Sequence, residues 1–218
     1  MGLVVIAMKV NDTQPRKTGR PLSFDREAAL HKAMLTFWRH GYETSSISDL
    51  TTAMGITAPS LYTAYGDKKS LFLEAMHLYA GSPYDLEQAL AEAPTARDAA
   101  QRMLVASAEA FTGELTPRGC LLASATASGS SGSAEVQAEV AAVRQAIRER
   151  LQARIAQDVA DGVLPADTDS PALAMLVIGL IQGMSVLARD GVSRAALVAM
   201  ADAAIQAWPT SQAASAAH

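Results

Sequence analysis

The sequence predicts an all-α protein with a small N-terminal helical domain and a larger C-terminal helical domain. Half of the 218 residues are hydrophobic but only 5% are aromatic, and much of the apolar content is alanine, which favours helices and close helix packing. Long alternating runs of β-branched residues, which are typical of strands, are absent. Helix-capping signals recur along the chain and divide it into segments of helical length.

Charge is distributed unevenly around a net value of −4. Residues 1–80 contain nine Lys and Arg against seven Asp and Glu, whereas the rest of the chain contains nine against fifteen. This asymmetry indicates two parts with different partners. We expect a disordered arm at 1–22, a first domain at 23–80, an acidic linker with two prolines at 81–94 and a second domain at 95–210.

The composition also limits the cellular compartment and the kinds of chemistry that the sequence predicts. The single cysteine, Cys120, excludes an intramolecular disulfide and fits a reducing cytoplasm. The apolar stretch 1–8 is too short to span a bilayer and lacks the basic lead-in of a signal peptide, and Met1 and Met8 are both candidate starts. The four histidines lack metal-ligand spacing, and no glycine-rich phosphate loop or nucleophile elbow occurs. We therefore expect no catalytic residue, no metal and no cofactor.

Two helices open the first domain. Asp25 caps the first, which runs to about His40 and ends at Gly41. Residues 46–49, Ser-Ile-Ser-Asp, form a capping-box pattern that opens a second helix, and Gly55 ends it.

Two further helices complete this domain. Thr57 caps the third, and Pro59 lies in its first turn, where backbone N–H groups lack helical partners. At about 100° per residue, Leu61 and Tyr65 share one side of this helix, which we expect to face the core. Asp67 caps the fourth helix.

The second domain is predicted to contain five helices. A capping pattern at 95–98 opens the first of them, and the Ser/Gly run at 128–133 predicts a flexible loop before a long helix. The predicted ranges are 95–112, 118–127, a long helix ending near 160, 170–189 and 193–208.

The second and third helices form a helix-turn-helix arrangement, supported by the helix before them. Small groups, hydroxyls and one phenol face outward from this unit, at Thr57, Pro59, Ser60, Tyr62 and Thr63. Such a surface can enter the major groove of DNA, where hydroxyls meet base edges or phosphates. The alternatives are a generic helical hairpin and a helical interaction module that does not bind DNA.

The fourth helix begins with Lys68 and Lys69, although the partial positive charge of a helix N-terminus repels lysine. A DNA phosphate is an external anion that could offset this cost. Arg16, Lys17 and Arg20 lie on the arm and could follow the minor groove. The third helix itself has no Lys or Arg, so affinity must depend on phosphate contacts elsewhere.

Residues 25–71 resemble the N-terminal domain of TetR/AcrR-type transcriptional regulators. The resemblance runs through AMLTFWRHGY at 33–42, SISDL at 46–50, MGITAPSLY at 54–62 and YGDK at 65–68. It implies a three-helix DNA-binding domain, a divergent helical ligand domain and a homodimer that usually acts as a repressor. By position, Ser46, Ser60, Tyr62 and Lys68 resemble phosphate-contacting residues, and Ser48, Ala58, Pro59 and Thr63 resemble base-facing ones. Two positions depart from the family pattern: Ala64 is often aromatic or His, and Ser48 replaces a frequent Arg.

The charge-free stretch 171–188, which contains a G-x-x-x-G pattern, is apolar all round. In a soluble protein such a helix is buried on both sides, by its own domain and by a partner subunit. With 193–207 as its companion, two helices from each subunit would form a four-helix dimer interface. A membrane helix is the alternative, although Gln182 and Ser185 lie inside the stretch. We expect a homodimer and no membrane partner.

A small-molecule effector that binds one conformational state more tightly could change the spacing of the two DNA-reading heads. The residues expected to line its pocket are Met103, Phe111, Met175 and Met184. Few charges fall among these helices, which favours an apolar or aromatic effector. Cys120 is an alternative sensor of electrophiles or oxidants, because Arg118 and a helix start could stabilise its thiolate and because Gly119-Cys120-Leu121 resembles a segment of thiol-sensing TetR-type regulators.

Overall fold

The computed structural model describes residues 24–124 and 133–210, and within these ranges the chain contains helices and no strands. The helices are α1 (Arg26–His40), α2 (Ile47–Met54), α3 (Ala58–Tyr65), α4 (Lys68–Ala80), α5 (Pro83–Ala91), α6 (Ala96–Phe111), α7 (Leu121–Ser124), α8 (Ala134–Ala160), α9 (Ser170–Arg189) and α10 (Arg194–Gln206). The predicted all-α class is confirmed.

Two compact units make up the described chain. The first comprises the described residues of Ile6–Gly81 and Cys120–Ala141, and the second comprises those of Ser82–Gly119 and Ala142–His218. This division differs from the expected domain at 95–210, because α7 packs on α1 and α4 and so joins the first unit.

Aromatic side chains on α1 and α4 form the core of the first unit. Phe37 meets Phe72 edge to face at 5.1 Å between ring centroids, and Trp38 meets Tyr79 in the same way at 4.8 Å. All four side chains are buried. This core fixes α1 against α4, and α2 and α3 pack onto that pair.

The second unit is built around α6, which packs against α9 and α10. A polar cluster fastens α8 to the start of α6: Asp158 on α8 is 2% exposed and accepts a hydrogen bond from the Ala96 backbone N–H at 2.6 Å. Arg154, one turn earlier, pairs with Asp158 and donates to the carbonyls of Leu90, Ala93 and Pro94. The buried carboxylate is thus neutralised within the unit.

Two sequence predictions of connecting structure need correction. The expected linker at 81–94 contains α5, because Ser82 caps the helix and Pro83 occupies its first position. Pro83, one of the two prolines that indicated a linker, is compatible with a helix because it occupies the first helical position. Of the expected helix at 118–127 the structure describes the four helical residues of α7. Residues 125–127 of that helix and residues 128–132 of the predicted loop lie outside the described residues.

Candidate nucleic-acid interface

The helix-turn-helix consists of α2 and α3, and both helices are capped as their sequences predict. The Ser46 side chain accepts from the Asp49 N–H while Asp49 accepts from the Ser46 N–H, which completes the capping box. Gly55 ends α2 in the left-handed conformation at φ 71°, a region that favours glycine. Thr57 then caps α3 by accepting from the Ser60 N–H at 3.3 Å. The side-chain caps and the left-handed conformation of Gly55 thus fix the ends of the two short helices and the turn between them.

Most of the residues predicted to contact DNA lie on the surface of this unit. Leu61 and Tyr65 point into the core and are buried, whereas Tyr62 is 49% exposed. The remaining predicted positions on this surface are exposed (Ser46, Ser48, Thr57, Pro59 and Thr63) or half-buried (Ala58 and Ser60). The structure therefore brings together a contiguous polar surface centred on α3.

The hydroxyls of this surface are already oriented. The Thr57 and Ser60 hydroxyl oxygens lie 2.9 Å apart, and the Thr63 hydroxyl donates to the Pro59 carbonyl at 2.8 Å. A hydroxyl that donates to its own helix keeps its oxygen lone pairs and, in threonine, its methyl group for an external partner. Thr63 can therefore accept from a base amino group or contact a thymine methyl.

Arg26, Glu74 and Tyr65 hold the C-terminal end of α3, and sequence analysis did not identify the first two. The Arg26 guanidinium pairs with Glu74 at 2.7 Å and lies 4.5 Å from the centroid of the Tyr65 ring. The Tyr65 hydroxyl donates to the Arg26 carbonyl at 2.7 Å, and burial raises the pKa of Tyr65 to about 12. These contacts connect α3 to α1 and α4, and they set the direction in which the α3 face points.

The sequence predicted that an external anion would compensate the charge of Lys68, but groups of the protein itself already contact it. Its ammonium donates to the Glu43 carbonyl at 3.2 Å and lies 4.6 Å from the centroid of the Tyr42 ring. Burial lowers the pKa of Lys68, although the Glu43 carboxylate opposes this effect. The carbonyl and the ring face offset the unfavourable position of this lysine at the helix N-terminus.

Lys69 is paired with Glu135, in the first turn of α8. The hydrogen bond that Lys69 donates to Glu135 raises the pKa of Lys69 and lowers the pKa of Glu135. Both side chains remain open to water, at 43% and 76% exposure. Solvent screening makes such a pair weak, so it does not prevent Lys69 from meeting another anion.

Two carboxylates also belong to this surface. Hydrogen bonds from the Ser46 hydroxyl and N–H lower the pKa of Asp49, and the bond from the Ser70 N–H lowers that of Asp67. Asp67 caps α4 by accepting from Ser70 at 2.7 Å. A negative cap therefore already occupies the α4 terminus that was expected to receive a phosphate.

The predicted effector residues fall into different surroundings. Met103, Phe111 and Met184 are buried in the second unit, whereas Met175 is 56% exposed and cannot line a buried pocket. Cys120 is buried in the first unit, where the Tyr79 hydroxyl lies 3.4 Å from its sulfur. The predicted contacts on the arm, Arg16, Lys17 and Arg20, lie outside the described residues.

An open groove of about 440 Å³ lies elsewhere in the second unit, by the start of α9. Pro165, Asp167, Thr168, Asp169, Ala172, Leu173, Leu176 and Pro209 line it. None of the predicted effector residues is among them. Within residues 24–124 and 133–210, no group of three or more His, Cys, Asp or Glu is placed to hold a metal ion.

α9 is long and apolar enough to cross a membrane, the one such helix in the described part of the chain. Its most apolar window has a mean hydropathy of 2.0, and 28% of that window is buried. A helix of this kind is equally typical of a soluble protein in which a second surface covers it.

A short capped helix with a polar outer face, held by a preceding turn and two supporting helices, defines a helix-turn-helix protein of the DNA-binding class. Comparison with known sequences agrees. The family described as bacterial regulatory proteins, tetR family, matches residues 29–75, and the tetracyclin repressor-like C-terminal domain matches residues 96–206.

The similarity to individual relatives covers most of the chain. It is 36% identical over 206 residues to the HTH-type transcriptional repressor ComR of Escherichia coli (strain K12), which covers 93% of this chain and 98% of ComR. It is 40% identical to the TetR family transcriptional regulator CifR, whose structure as a cysteine mutant contains a 26-base-pair double-strand operator DNA. That superposition has a TM-score of 0.82 and covers 88% of this chain and 100% of CifR.

The chain belongs to the TetR family of bacterial transcriptional regulators. It is a DNA-binding regulator, of a family whose members bind operator DNA as dimers and bind an effector in the C-terminal domain.

Proposed function

We propose that this regulator is a homodimeric repressor whose α3 enters the major groove of its operator. The observation that carries the proposal is the division of α3 into a buried side, Leu61 and Tyr65, and an exposed polar side centred on Tyr62. On that exposed side Tyr62 donates to a backbone phosphate, and Pro59 and Thr63 face the bases. The small size of these side chains lets the helix approach the base edges closely.

The first experiment tests this assignment directly. Duplexes selected from a randomised library by the purified dimer supply an operator, and fluorescence anisotropy then measures its dissociation constant. Tyr62→Phe removes one hydrogen bond to a charged group per subunit, so binding should weaken at least tenfold, since such a bond contributes about 1.5–3 kcal/mol. Tyr84→Phe is the matched control, because Tyr84 is also exposed, at 69%, but lies on α5.

Equal affinities for the wild type and Tyr62→Phe would refute the phosphate contact. Failure of the wild type to select any duplex at low salt would refute DNA binding as a whole and would favour an interaction module. A salt titration adds a second reading, because phosphate neutralisation makes the logarithm of affinity fall linearly with the logarithm of salt concentration.

The dimer interface is proposed on the outer faces of α9 and α10. Met175, Leu176 and Val186 are 55–57% exposed although they are large and apolar. A Cβ added at Gly179 or Gly183 would meet no atom within 4 Å, so the G-x-x-x-G pattern is open on this face. A second copy of α9 and α10 would cover this apolar surface and complete a four-helix interface.

Sedimentation at micromolar concentration tests this interface. Leu176→Arg places a charge in the proposed interface and should convert the dimer to a monomer. Leu115→Arg is the control, because Leu115 is 92% exposed in the segment between α6 and α7. A Leu176→Arg protein that stays dimeric and folded would contradict the proposed interface.

We place the effector in the second unit among buried apolar side chains that include Met103, Phe111 and Met184. An apolar or aromatic molecule matches this lining. Mass spectrometry of ligands that co-purify with the protein tests the class, and a strongly charged effector would contradict it. Burial of Cys120 disfavours attack by an electrophile, so a Cys120→Ser variant should retain its normal response.

The chain is proposed to act in the cytoplasm, in keeping with a DNA-binding family. Cell fractionation should recover it with soluble proteins. Recovery with membranes that withstands alkaline washing would instead support α9 as a membrane span.

A further inference from the structure

Lys69 and Glu135 are 66 residues apart in sequence, yet their side chains form an ion pair. Lys69 is the second residue of α4, directly after the Gly66-Asp67 turn that follows α3. Glu135 is the second residue of α8. The pair therefore lies at the same end of α4 as the proposed DNA-binding face.

We propose that Glu135 holds Lys69 in the place of a DNA phosphate when the protein is free, and that operator binding requires Lys69 to exchange this carboxylate for a phosphate. The proposal rests on the proposed operator-binding function. It makes Glu135 an internal competitor that lowers affinity for DNA, although Glu135 itself contacts no DNA.

Three observations favour exchange over a fixed structural pair. Both side chains are open to water, with Glu135 at 76%, so the pair is not locked by packing. Lys69 is the cation that acts on Glu135, because the hydrogen bond and the charge attraction that lower the pKa of Glu135 both come from Lys69. Lys68 does not replace Lys69 in this role, because the Tyr42 ring and the Glu43 carbonyl already hold it.

The strength of the contact fits reversible competition. Exposed ion pairs are weak, so a phosphate, which belongs to a dense linear array of charge, can displace the carboxylate. Displacement leaves Glu135 without its cation. The wild-type protein should therefore bind DNA more weakly and with a less steep salt dependence than a protein without the carboxylate.

Glu135→Gln tests the inference. This nearly isosteric change should tighten operator binding by about two- to thirtyfold per dimer, because two weak ion pairs no longer have to be broken. The salt slope should steepen by up to about two, one for each subunit. The matched control is Glu139→Gln, one turn further along α8, where the exposed carboxylate takes part in none of the ion pairs of the described chain.

A double-mutant cycle separates the specific pair from a general loss of negative charge. In a Lys69→Ala background, Glu135→Gln should change affinity by less than twofold, because no lysine remains to be released. An equal gain from Glu135→Gln and Glu139→Gln, or a gain that persists without Lys69, would overturn the proposal. So would a Glu135→Gln dimer with wild-type affinity and salt slope.

Failure of this inference is distinguishable from failure of the proposed function. If the wild type binds its selected operator and only the Glu135 effect is missing, competition is wrong and DNA binding stands. If neither the wild type nor Lys69→Ala binds any duplex, the operator-binding function itself is wrong. Urea unfolding of each variant confirms that the compared dimers are folded.

Discussion

Replacement of Asp158 by alanine should be among the most destabilising single changes in the second unit. The Asp158 side chain is 3% exposed and its partner Arg154 is 17% exposed. One carboxylate oxygen pairs with Arg154, and the other accepts from the Ala96 N–H at 2.6 Å. The alanine variant therefore loses a buried ion pair and the acceptor for a buried helix N-terminus at once.

The size of the stability loss depends on the contacts that Arg154 and the Ala96 N–H keep in the Asp158→Ala variant. Removal of one member of a buried ion pair costs about 3–5 kcal/mol, because the other charge stays buried. Arg154 keeps three carbonyl acceptors, which places the cost of its lost partner near the lower end of that range. The Ala96 N–H loses its acceptor as well, but the two costs share one side chain and are not additive. We expect the free energy of unfolding to fall by about 3–4 kcal/mol, a large part of a typical total of about 5–15 kcal/mol.

Urea unfolding followed by circular dichroism measures this change, at one fixed protein concentration because a dimer unfolds in a concentration-dependent way. Asp161→Ala is the matched control, since Asp161 is exposed just after α8 and its carboxylate accepts from the Gln157 side chain, one turn away on the same surface. The control should change stability by less than about 0.5 kcal/mol. A loss below about 1 kcal/mol for Asp158→Ala would show that the pair is not structurally important.

Three further outcomes follow from single contacts. Tyr65 has a pKa of about 12 when folded against 10.0 unperturbed, so the unfolded chain loses this proton first and stability should fall as pH rises from 10 to 12, by up to about 2 kcal/mol. A Tyr65→Phe variant, which also loses the bond to the Arg26 carbonyl, should show a flatter decline across that range in urea unfolding. Gly119→Ala should destabilise by about 2–3 kcal/mol in thermal melts, because φ is +82° and the new Cβ would lie 2.9 Å from the Ser185 carbonyl oxygen. Thr57→Ala removes the α3 cap and should lower stability by about 0.5–2 kcal/mol, and faster amide exchange confined to α3 would confirm its local origin.

Local signals were sufficient to predict α1 to α4 of the first unit. Asp25, Ser46, Thr57 and Asp67 are all N-caps in the structure, because a short polar side chain next to an apolar helical pattern has few better partners than the helix N-terminus. The buried side of α3 also followed from helical geometry, since Leu61 lies only four residues before Tyr65.

The partners of the two lysines could not be predicted in this way. Lys68 contacts a carbonyl 25 residues away, and Lys69 meets a carboxylate 66 residues away. No periodic pattern records such distant contacts, so the sequence indicated only that the positive charges need compensation. The source of that compensation depends on tertiary packing.

The sequence also could not show which side of α9 is buried, because the helix is apolar all round. Met175 and Met184 are both methionines on one charge-free helix, yet Met175 is 56% exposed and Met184 is fully buried. Periodicity needs polar residues to mark the outer face, and α9 has few of them. The exposed side became recognisable only once the contacts with α6 and α10 were known.

The contact of Lys68 with the Tyr42 ring has a consequence for the speed and selectivity of DNA recognition. Lysine ordinarily loses several rotameric degrees of freedom when it settles on a partner. Here the Tyr42 ring and the Glu43 carbonyl already hold the side chain. The resemblance of Lys68 to a phosphate-contacting residue implies that an arriving duplex would meet a cation already in place and would not have to order it. A cation held in this way would tolerate little error in the position of a phosphate, so we expect Lys68 to discriminate between groove shapes better than a freely moving lysine would.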